Sequence, residues 1–132
     1  GKPMFELADG EMEIGMGIHG EPGVRRGKLQ NADKVVDEIM SHILPDLPFN
    51  AEDEVAVIVN SLGATPLMDL HICFRRVAQI LDDKKIKIYR SFVGPYATTM
   101  DMSGMSITLM KLDDELKKML DYPCATPYYI KK

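Results

Sequence analysis

Residues 14–23, IGMGIHGEPG, place one histidine among four glycines at the end of an alternating apolar run. A histidine has a reference pKa of about 6.5, so at cellular pH one nitrogen of its ring mostly keeps a free lone pair. That lone pair can act as a base, a metal ligand or a nucleophile. Glu21 follows two residues later and could orient the ring. His19 is therefore the first candidate functional residue, and the alternative is a histidine satisfied within a glycine-rich turn.

A second candidate is the segment NSLGATP, residues 60–66, which follows a buried strand and leads into a helix. Function in parallel sheets gathers at the carboxyl ends of the strands, and the N–H groups of a helix start suit an oxyanion or a polar ligand. Asn60, Ser61 and Thr65 would add hydrogen-bond donors. The alternative is that these residues only cap the helix.

The other histidines and the cysteines predict no further site. His42 is expected near the end of one helix, and His71 is expected to pack at the border of the apolar stripe of another. Cys73 and Cys124 are far apart and form no CxxC pair, so we expect buried or half-buried helix positions for both and no disulfide. His71 and Cys73 lack the clustered ligands that zinc requires.

The sequence contains no recognisable nucleotide site. It has no GxxxxGK[ST] phosphate loop, and the glycine spacing of GMGIHG lies in a predicted strand rather than at the start of a helix. We therefore expect no cofactor and no metal ion in this chain itself.

Four segments are predicted as strands that position these residues. Residues 12–18 and 86–94 alternate apolar and polar types, and 105–112 is a further candidate. Residues 55–59, VAVIV, form a continuous β-branched run typical of a strand buried on both faces. Two glycines inside the first strand indicate that a neighbour packs close to the backbone there. Residues 19–27 are predicted as a loop, and the short basic cluster RRGK, 25–28, as a solvated turn.

Three segments are predicted as helices, over 32–44 with Asn31 as the cap, 67–82 and 113–121. The linker 45–53, the polar loop 95–104 and the tail from 122 show no clear period. Apolar residues recur at helical spacing in the first two helices: Val35, Val36, Ile39, Met40 and Ile43, then Leu67, Leu70, Phe74, Val77 and Leu81.

The predicted order is β-α-β-α-β-β-α, and helices between strands require crossovers that make neighbouring strands parallel. The predicted fold class is α/β. We expect a compact layered domain in which helices flank a mixed, mostly parallel sheet of about four or more strands. The length of 132 residues suits a single domain over 1–132.

Composition and charge exclude several classes of partner. The net charge of −4 argues against a nucleic-acid surface, which needs a basic footprint. No apolar run approaches the roughly 18 residues of a membrane helix. The N-terminus, GKPMFELADG, has no basic region followed by an apolar block and is not a signal peptide. We therefore expect a cytoplasmic protein that contacts neither nucleic acid nor membrane.

Four blocks of the sequence together resemble a known family. They are MEIGMGIHGEPG, VIVNSLGATPLMDL, FVGPYATTMDMSGMSITLMKLDDEL and YPCATPYY, in this order from about residue 11 to residue 129. They resemble the C-terminal part of the substrate-binding subunit of dihydroxyacetone (glycerone) kinase, of the type that depends on the phosphotransferase system.

The resemblance implies a covalent role for His19. In the family, the histidine of GIHGEPG forms a hemiaminal with the carbonyl of dihydroxyacetone, which is then phosphorylated to dihydroxyacetone phosphate. By that motif the histidine here is His19. Glycerol has no carbonyl, so a covalent bond would separate substrates that hydrogen bonds discriminate poorly.

The resemblance also implies missing parts. The family's subunit is longer, and its N-terminal region supplies an aspartate and a second histidine to the site. We expect this chain to be the C-terminal domain of such a subunit, to be inactive alone, and to end near the natural end of the protein. Nucleotide (ADP or ATP) and magnesium are expected on a partner subunit, which a phosphocarrier protein of the phosphotransferase system recharges. A homodimer is also expected. The alternative is a non-catalytic regulatory paralogue that binds dihydroxyacetone.

Overall fold

The computed structural model describes residues 5–132, and over these residues it contains seven strands and three helices. In chain order they are β1 (Glu11–Ile14), β2 (Arg25–Lys28), α1 (Ala32–Asp46), β3 (Glu54–Ser61), α2 (Leu67–Asp83), β4 (Lys87–Gly94), β5 (Met105–Leu112), α3 (Asp114–Asp121), β6 (Cys124–Ala125) and β7 (Ile130–Lys131). The predicted helices and the strands at 55–59, 86–94 and 105–112 are all present, with ends that differ by a few residues.

The strand predicted from the β-branched run, β3, is the centre of the main sheet. It pairs parallel with β4 and antiparallel with β5, so the sheet has the order β4-β3-β5. Val57 lies opposite Ser91 on β4 and Leu109 on β5. The helix α2 supplies the crossover for the parallel pair, whereas β5 follows β4 through a loop without a helix and runs antiparallel.

The α/β class with a mixed sheet is confirmed, but the sheet differs from the expectation in size and in strand direction. It has three strands within residues 5–132, one parallel pair and one antiparallel pair, instead of four or more mostly parallel strands. The difference arises because the first predicted strand, β1, does not join this sheet. It pairs antiparallel with β2 in a separate hairpin, so no crossover through α1 connects it to β3.

The core lies between the main sheet and the two long helices. The valines of β3 that face the helices are completely buried, and so are residues of α1 and α2: Val55, Val57, Val59, Val36, Val77 and Leu81. Burying such a side chain contributes about 1.5–3 kcal/mol. Leu67, expected in the apolar stripe of α2, is 54% exposed because it is the first residue of the helix and lies beyond the edge of the core.

Caps and ion pairs fix the ends and the mutual packing of the helices. The Asn31 side chain accepts a hydrogen bond from Lys34 N at 3.0 Å, which confirms the predicted cap of α1. Asp113 caps α3 in the same way through Leu116 N at 2.8 Å. Arg76 of α2 binds Asp37 of α1 at 2.7 Å.

The N-terminal segment and the tail differ from the predictions. The strand expected over 12–18 ends at Ile14, because Gly15 adopts a positive φ of 77° and turns the chain. The basic cluster 25–28, expected as a solvated turn, is the strand β2. The tail forms the two-residue strands β6 and β7, so Cys124 is exposed on a strand and not in a helix.

The packing also decides which of the remaining cysteine and histidine side chains are buried. Cys73 is buried in α2 as expected, and both thiols are free. His71 is exposed rather than packed, because Leu70 and Cys73 of the same helix face the sheet and turn residue 71 toward solvent. His42 is exposed on α1. Within the described residues, none of the three helices has the length and apolarity required to cross a membrane.

Candidate functional site

The candidate site is the loop of residues 15–24, which connects β1 to β2 and carries His19. Backbone hydrogen bonds close it at its base and at its tip: Val24 N donates to Ile14 O at 2.8 Å, and Gly17 N donates to Glu21 O at 3.1 Å. The loop therefore has a defined conformation that presents the histidine at its tip.

Close packing was predicted at the two glycines of the first predicted strand, Gly15 and Gly17, and is confirmed there. A Cβ on Gly15 would lie 3.1 Å from a methyl group of Val24. A Cβ on Gly17 would overlap the carboxylate of Glu21, and one on Gly23 would overlap Ile14 O. The glycines thus leave space for the side chains and the backbone that hold the loop together.

Glu13 fastens the far side of the loop. One carboxylate oxygen accepts a hydrogen bond from Gly23 N at 2.7 Å, and the other accepts from the guanidinium of Arg26 at 3.0 Å. The N–H of Gly23, and next Arg26, hold the pKa of Glu13 below its ordinary value. This role of Glu13 was not predicted, although pairing of its strand with the basic cluster in a hairpin would have indicated it.

A second ion pair attaches the hairpin to the main body of the domain. The guanidinium of Arg25 on β2 binds the carboxylate of Glu38 on α1 through two hydrogen bonds, of 2.5 and 2.7 Å. Bidentate pairs of this kind fix orientation as well as distance. They lower the pKa of Glu38 and raise the pKa of Arg25. The base of the histidine loop is therefore held against α1.

The His19 side chain projects from the loop tip and is 81% exposed. Its backbone N–H donates to Glu21 Oε2 at 2.5 Å, and its ring Nδ1 lies 3.5 Å from Glu21 Oε1. The ring is thus accessible to a small molecule, while the backbone of the same residue is fixed. Glu21 faces the ring, as its position two residues on suggested.

The second candidate segment, 60–66, is organised differently. Asn60 is 3% exposed, and its side chain makes four hydrogen bonds. It donates to Ala97 O and to Ser106 Oγ, and it accepts from Tyr96 N and Ala97 N. These bonds use the full capacity of the amide, so Asn60 holds the turn after β4 and has no donor left for a ligand.

Ser61 and Thr65 are also occupied within the fold. The Ser61 hydroxyl donates to Thr65 O at 3.0 Å, and the Thr65 hydroxyl donates to Gly104 O at 2.7 Å. The purely structural alternative is therefore favoured for 60–66. No hydrogen bond or ion pair in the described part of the chain joins this segment to the loop 15–24.

The loop around His19 does not form a metal centre. Across residues 5–132 no group of three or more His, Cys, Asp or Glu side chains could hold a metal ion. His19 has one carboxylate beside it, which is a partner for a ring N–H rather than a ligand set.

The fold and the site define the class of protein. It is an α/β domain that presents an accessible histidine on a glycine-rich hairpin loop. The chain belongs to the Dak1 domain family, whose model matches residues 1–128. It is 56% identical over 129 residues to the dihydroxyacetone-binding subunit DhaK of PTS-dependent dihydroxyacetone kinase 2 from Listeria innocua serovar 6a. The match covers 98% of this chain and 39% of the relative, so the chain spans less than half the length of that protein.

Solved structures share the fold. The dihydroxyacetone kinase operon co-activator Dha-DhaQ superposes with a TM-score of 0.84 at 31% identity, over 92% of this chain and 38% of that one. The native dihydroxyacetone kinase of C. freundii superposes with a TM-score of 0.75 at 31% identity, over 96% of this chain and 23% of that one. The resemblance in the sequence blocks is confirmed by these relatives.

Proposed function

We propose that this chain is the C-terminal domain of a dihydroxyacetone-binding kinase subunit, and that His19 holds dihydroxyacetone as a covalent hemiaminal. The bound substrate is phosphorylated to dihydroxyacetone phosphate by a phosphoryl donor on a separate subunit. The observation that carries the proposal is the His19 ring, exposed on a loop whose backbone is fixed on both sides. The similarity to the Listeria kinase subunit supports the substrate.

The proposed bond follows ordinary carbonyl chemistry. The lone pair of one ring nitrogen forms a bond to the carbonyl carbon, and the π pair of the C=O bond moves to oxygen, which takes a proton from solvent. The ring then carries the positive charge, with its proton on the other nitrogen. No water is lost, so the adduct has the full mass of the substrate.

Covalent attachment suits this site because the site is open. A three-carbon substrate offers too little surface to be held by burial, and the His19 ring is not enclosed in the described chain. The bond fixes the carbonyl carbon in one place and orients the hydroxyl groups for transfer. It also excludes glycerol, which has no carbonyl to react.

The remaining partners are proposed on the same basis. The similarity to the binding subunit of a PTS-dependent kinase supports a nucleotide and magnesium site on a separate kinase subunit. The phosphocarrier of the phosphotransferase system acts through that subunit, and the dihydroxyacetone-binding subunit forms a cytoplasmic homodimer. This chain alone would be inactive, because the acid–base residues and the donor lie elsewhere.

The test is intact-mass spectrometry of the full-length subunit under native conditions, with dihydroxyacetone or with glycerol. We expect a mass increase of one dihydroxyacetone without loss of water, and no increase with glycerol. His19→Ala should abolish the adduct, whereas His42→Ala and His71→Ala, which alter the other two exposed histidines, should keep it. An adduct that survives His19→Ala would refute the assignment.

A regulatory role is the second candidate, because a dihydroxyacetone kinase operon co-activator shares the fold, with a TM-score of 0.84 at 31% identity. A co-activator that keeps the histidine would still form the adduct, so the discriminating measurement is product formation. The full-length subunit, mixed with a nucleotide-binding kinase subunit and its phosphoryl donor, should yield dihydroxyacetone phosphate if it is a kinase component, and none if it is a regulator.

A further inference from the structure

We propose that Glu21 is a positioning residue for His19. Residue 17 is glycine because a side chain there would displace the Glu21 carboxylate. The inference rests on the proposed function of His19 and adds to it a residue that selects the tautomer of the ring. It is carried by the contacts of Glu21 with both the backbone and the side chain of His19.

The two oxygens of the Glu21 carboxylate face two different groups of the same residue. Oε2 accepts the backbone N–H of His19 at 2.5 Å, and Oε1 lies 3.5 Å from ring Nδ1. The first contact is a short charge-assisted hydrogen bond. The second is longer than a hydrogen bond, as is common for catalytic contacts before a substrate is bound. Holding the backbone N–H therefore places a negative charge beside one nitrogen of the ring.

Gly17 is what lets Glu21 reach this position. The carboxylate folds back over residue 17, where an added Cβ would overlap Oε2 and would lie 2.9 Å from the Cβ of Glu21. The φ of Gly17 is not in the left-handed region, which is occupied in this loop by Gly15 and Gly20. A left-handed backbone therefore does not explain the glycine at 17, and the requirement for glycine comes from the carboxylate that packs there.

The carboxylate selects one tautomer of the ring. An ionised carboxylate only accepts hydrogen bonds, so its charge favours a proton on the ring nitrogen that faces it. That nitrogen is Nδ1, which leaves the lone pair on the opposite nitrogen, directed away from Glu21. Histidine free in water prefers the other tautomer. Glu21 therefore works against the intrinsic preference, and it also stabilises the positive charge that the ring holds in the adduct.

The first experiment separates this role from a purely structural one. Glu21→Gln keeps an oxygen for the backbone N–H of His19 but turns an N–H donor toward the ring, which favours a lone pair on Nδ1. In the full-length subunit labelled with ¹⁵N-histidine, the ring nitrogen shifts without substrate should show the proton of His19 on Nδ1 in the wild type. In Glu21→Gln the proton should lie on the opposite nitrogen.

The second readout is the apparent affinity of the full-length subunit for dihydroxyacetone. It is measured as the fraction of adduct in native mass spectra at graded concentrations of dihydroxyacetone. Because both side chains are largely exposed, we expect Glu21→Gln to weaken the adduct by about threefold to tenfold. Gly17→Ala should weaken it similarly by displacing the carboxylate. Glu21→Asp, which keeps the charge, should restore part of the loss relative to Glu21→Gln.

These experiments test the role of Glu21 separately from the proposed function of His19. If the wild type forms no adduct, the proposed function fails, and the tautomer comparison still decides the role of Glu21. Equal tautomer populations in the wild type and Glu21→Gln would overturn the positioning role, even if the adduct forms. Unchanged adduct affinity in both Glu21→Gln and Gly17→Ala would overturn it as well.

Discussion

Replacing Asn60 by alanine should cost about 2–4 kcal/mol of the free energy of unfolding. The side chain is 3% exposed and makes four hydrogen bonds, three to the backbone of residues 96 and 97 and one to Ser106. A hydrogen bond contributes about 0.5–1.5 kcal/mol net, and a buried group left without a partner costs about 1–3 kcal/mol. Tyr96 and Ala97 are exposed, so water can satisfy part of what the amide releases, and the total lies below the full sum.

The assay is urea unfolding of the chain, followed by far-ultraviolet circular dichroism and analysed by linear extrapolation. The control is Ser106→Ala, which removes a single hydrogen bond of 3.2 Å from an exposed residue and should cost less than about 1 kcal/mol. Asn60→Asp keeps the acceptor but replaces the donor with a carboxylate that faces Ala97 O. It should therefore destabilise the chain at neutral pH at least as much as alanine does.

A change of less than about 0.5 kcal/mol in Asn60→Ala, with an unchanged denaturant slope, would refute the reasoning. It would mean that the turn 95–97 keeps its conformation without the buried amide. A large loss in Ser106→Ala would equally contradict it, because the stabilisation would then lie in that one contact rather than in the backbone bonds.

Two further predictions concern titratable groups. Cys124 is exposed and Cys73 is buried, and burial raises the pKa of the Cys73 thiol. A colorimetric thiol reagent should therefore modify Cys124 rapidly in the native chain and Cys73 only after unfolding. In the control variant, Cys124→Ser, the rapid reaction should be absent. Rapid reaction of two thiols in the native chain would contradict the packing of α2. Arg25 lowers the pKa of Glu38 below its ordinary value of 4.5, so the stabilisation from this pair is present above that value and is lost as the pH falls through the lowered pKa. Glu38→Gln should flatten the acid side of the stability profile measured by urea unfolding, and an identical profile in both proteins would show that the pair contributes nothing.

Much of the fold could be predicted because its signals are local. The run VAVIV, the helical spacing of the apolar residues and the Asn31 cap each depend on neighbours within a few positions of the chain, and all three are confirmed. The pairing partner of the first strand could not be predicted in this way. A hairpin and a crossover strand share the same alternation, and the choice between them depends on Gly15 turning the chain and on Arg25 reaching Glu38.

The candidate site shows the same difference between features set by local sequence and features set by distant contacts. The sequence by itself determined that His19 is a histidine with space around it, and the four blocks together determined the family. Only the tertiary structure decided which polar groups are free. Asn60 and Thr65 lie in a segment with the composition of a ligand-binding loop, yet their side chains bond to residues 36 to 46 positions away. Whether a donor is available depends on these distant partners, and no local pattern encodes them. For the same reason, the roles of Glu13 and Gly17 follow only from the folded loop, which brings Gly23 N–H to Glu13 and the Glu21 carboxylate to residue 17.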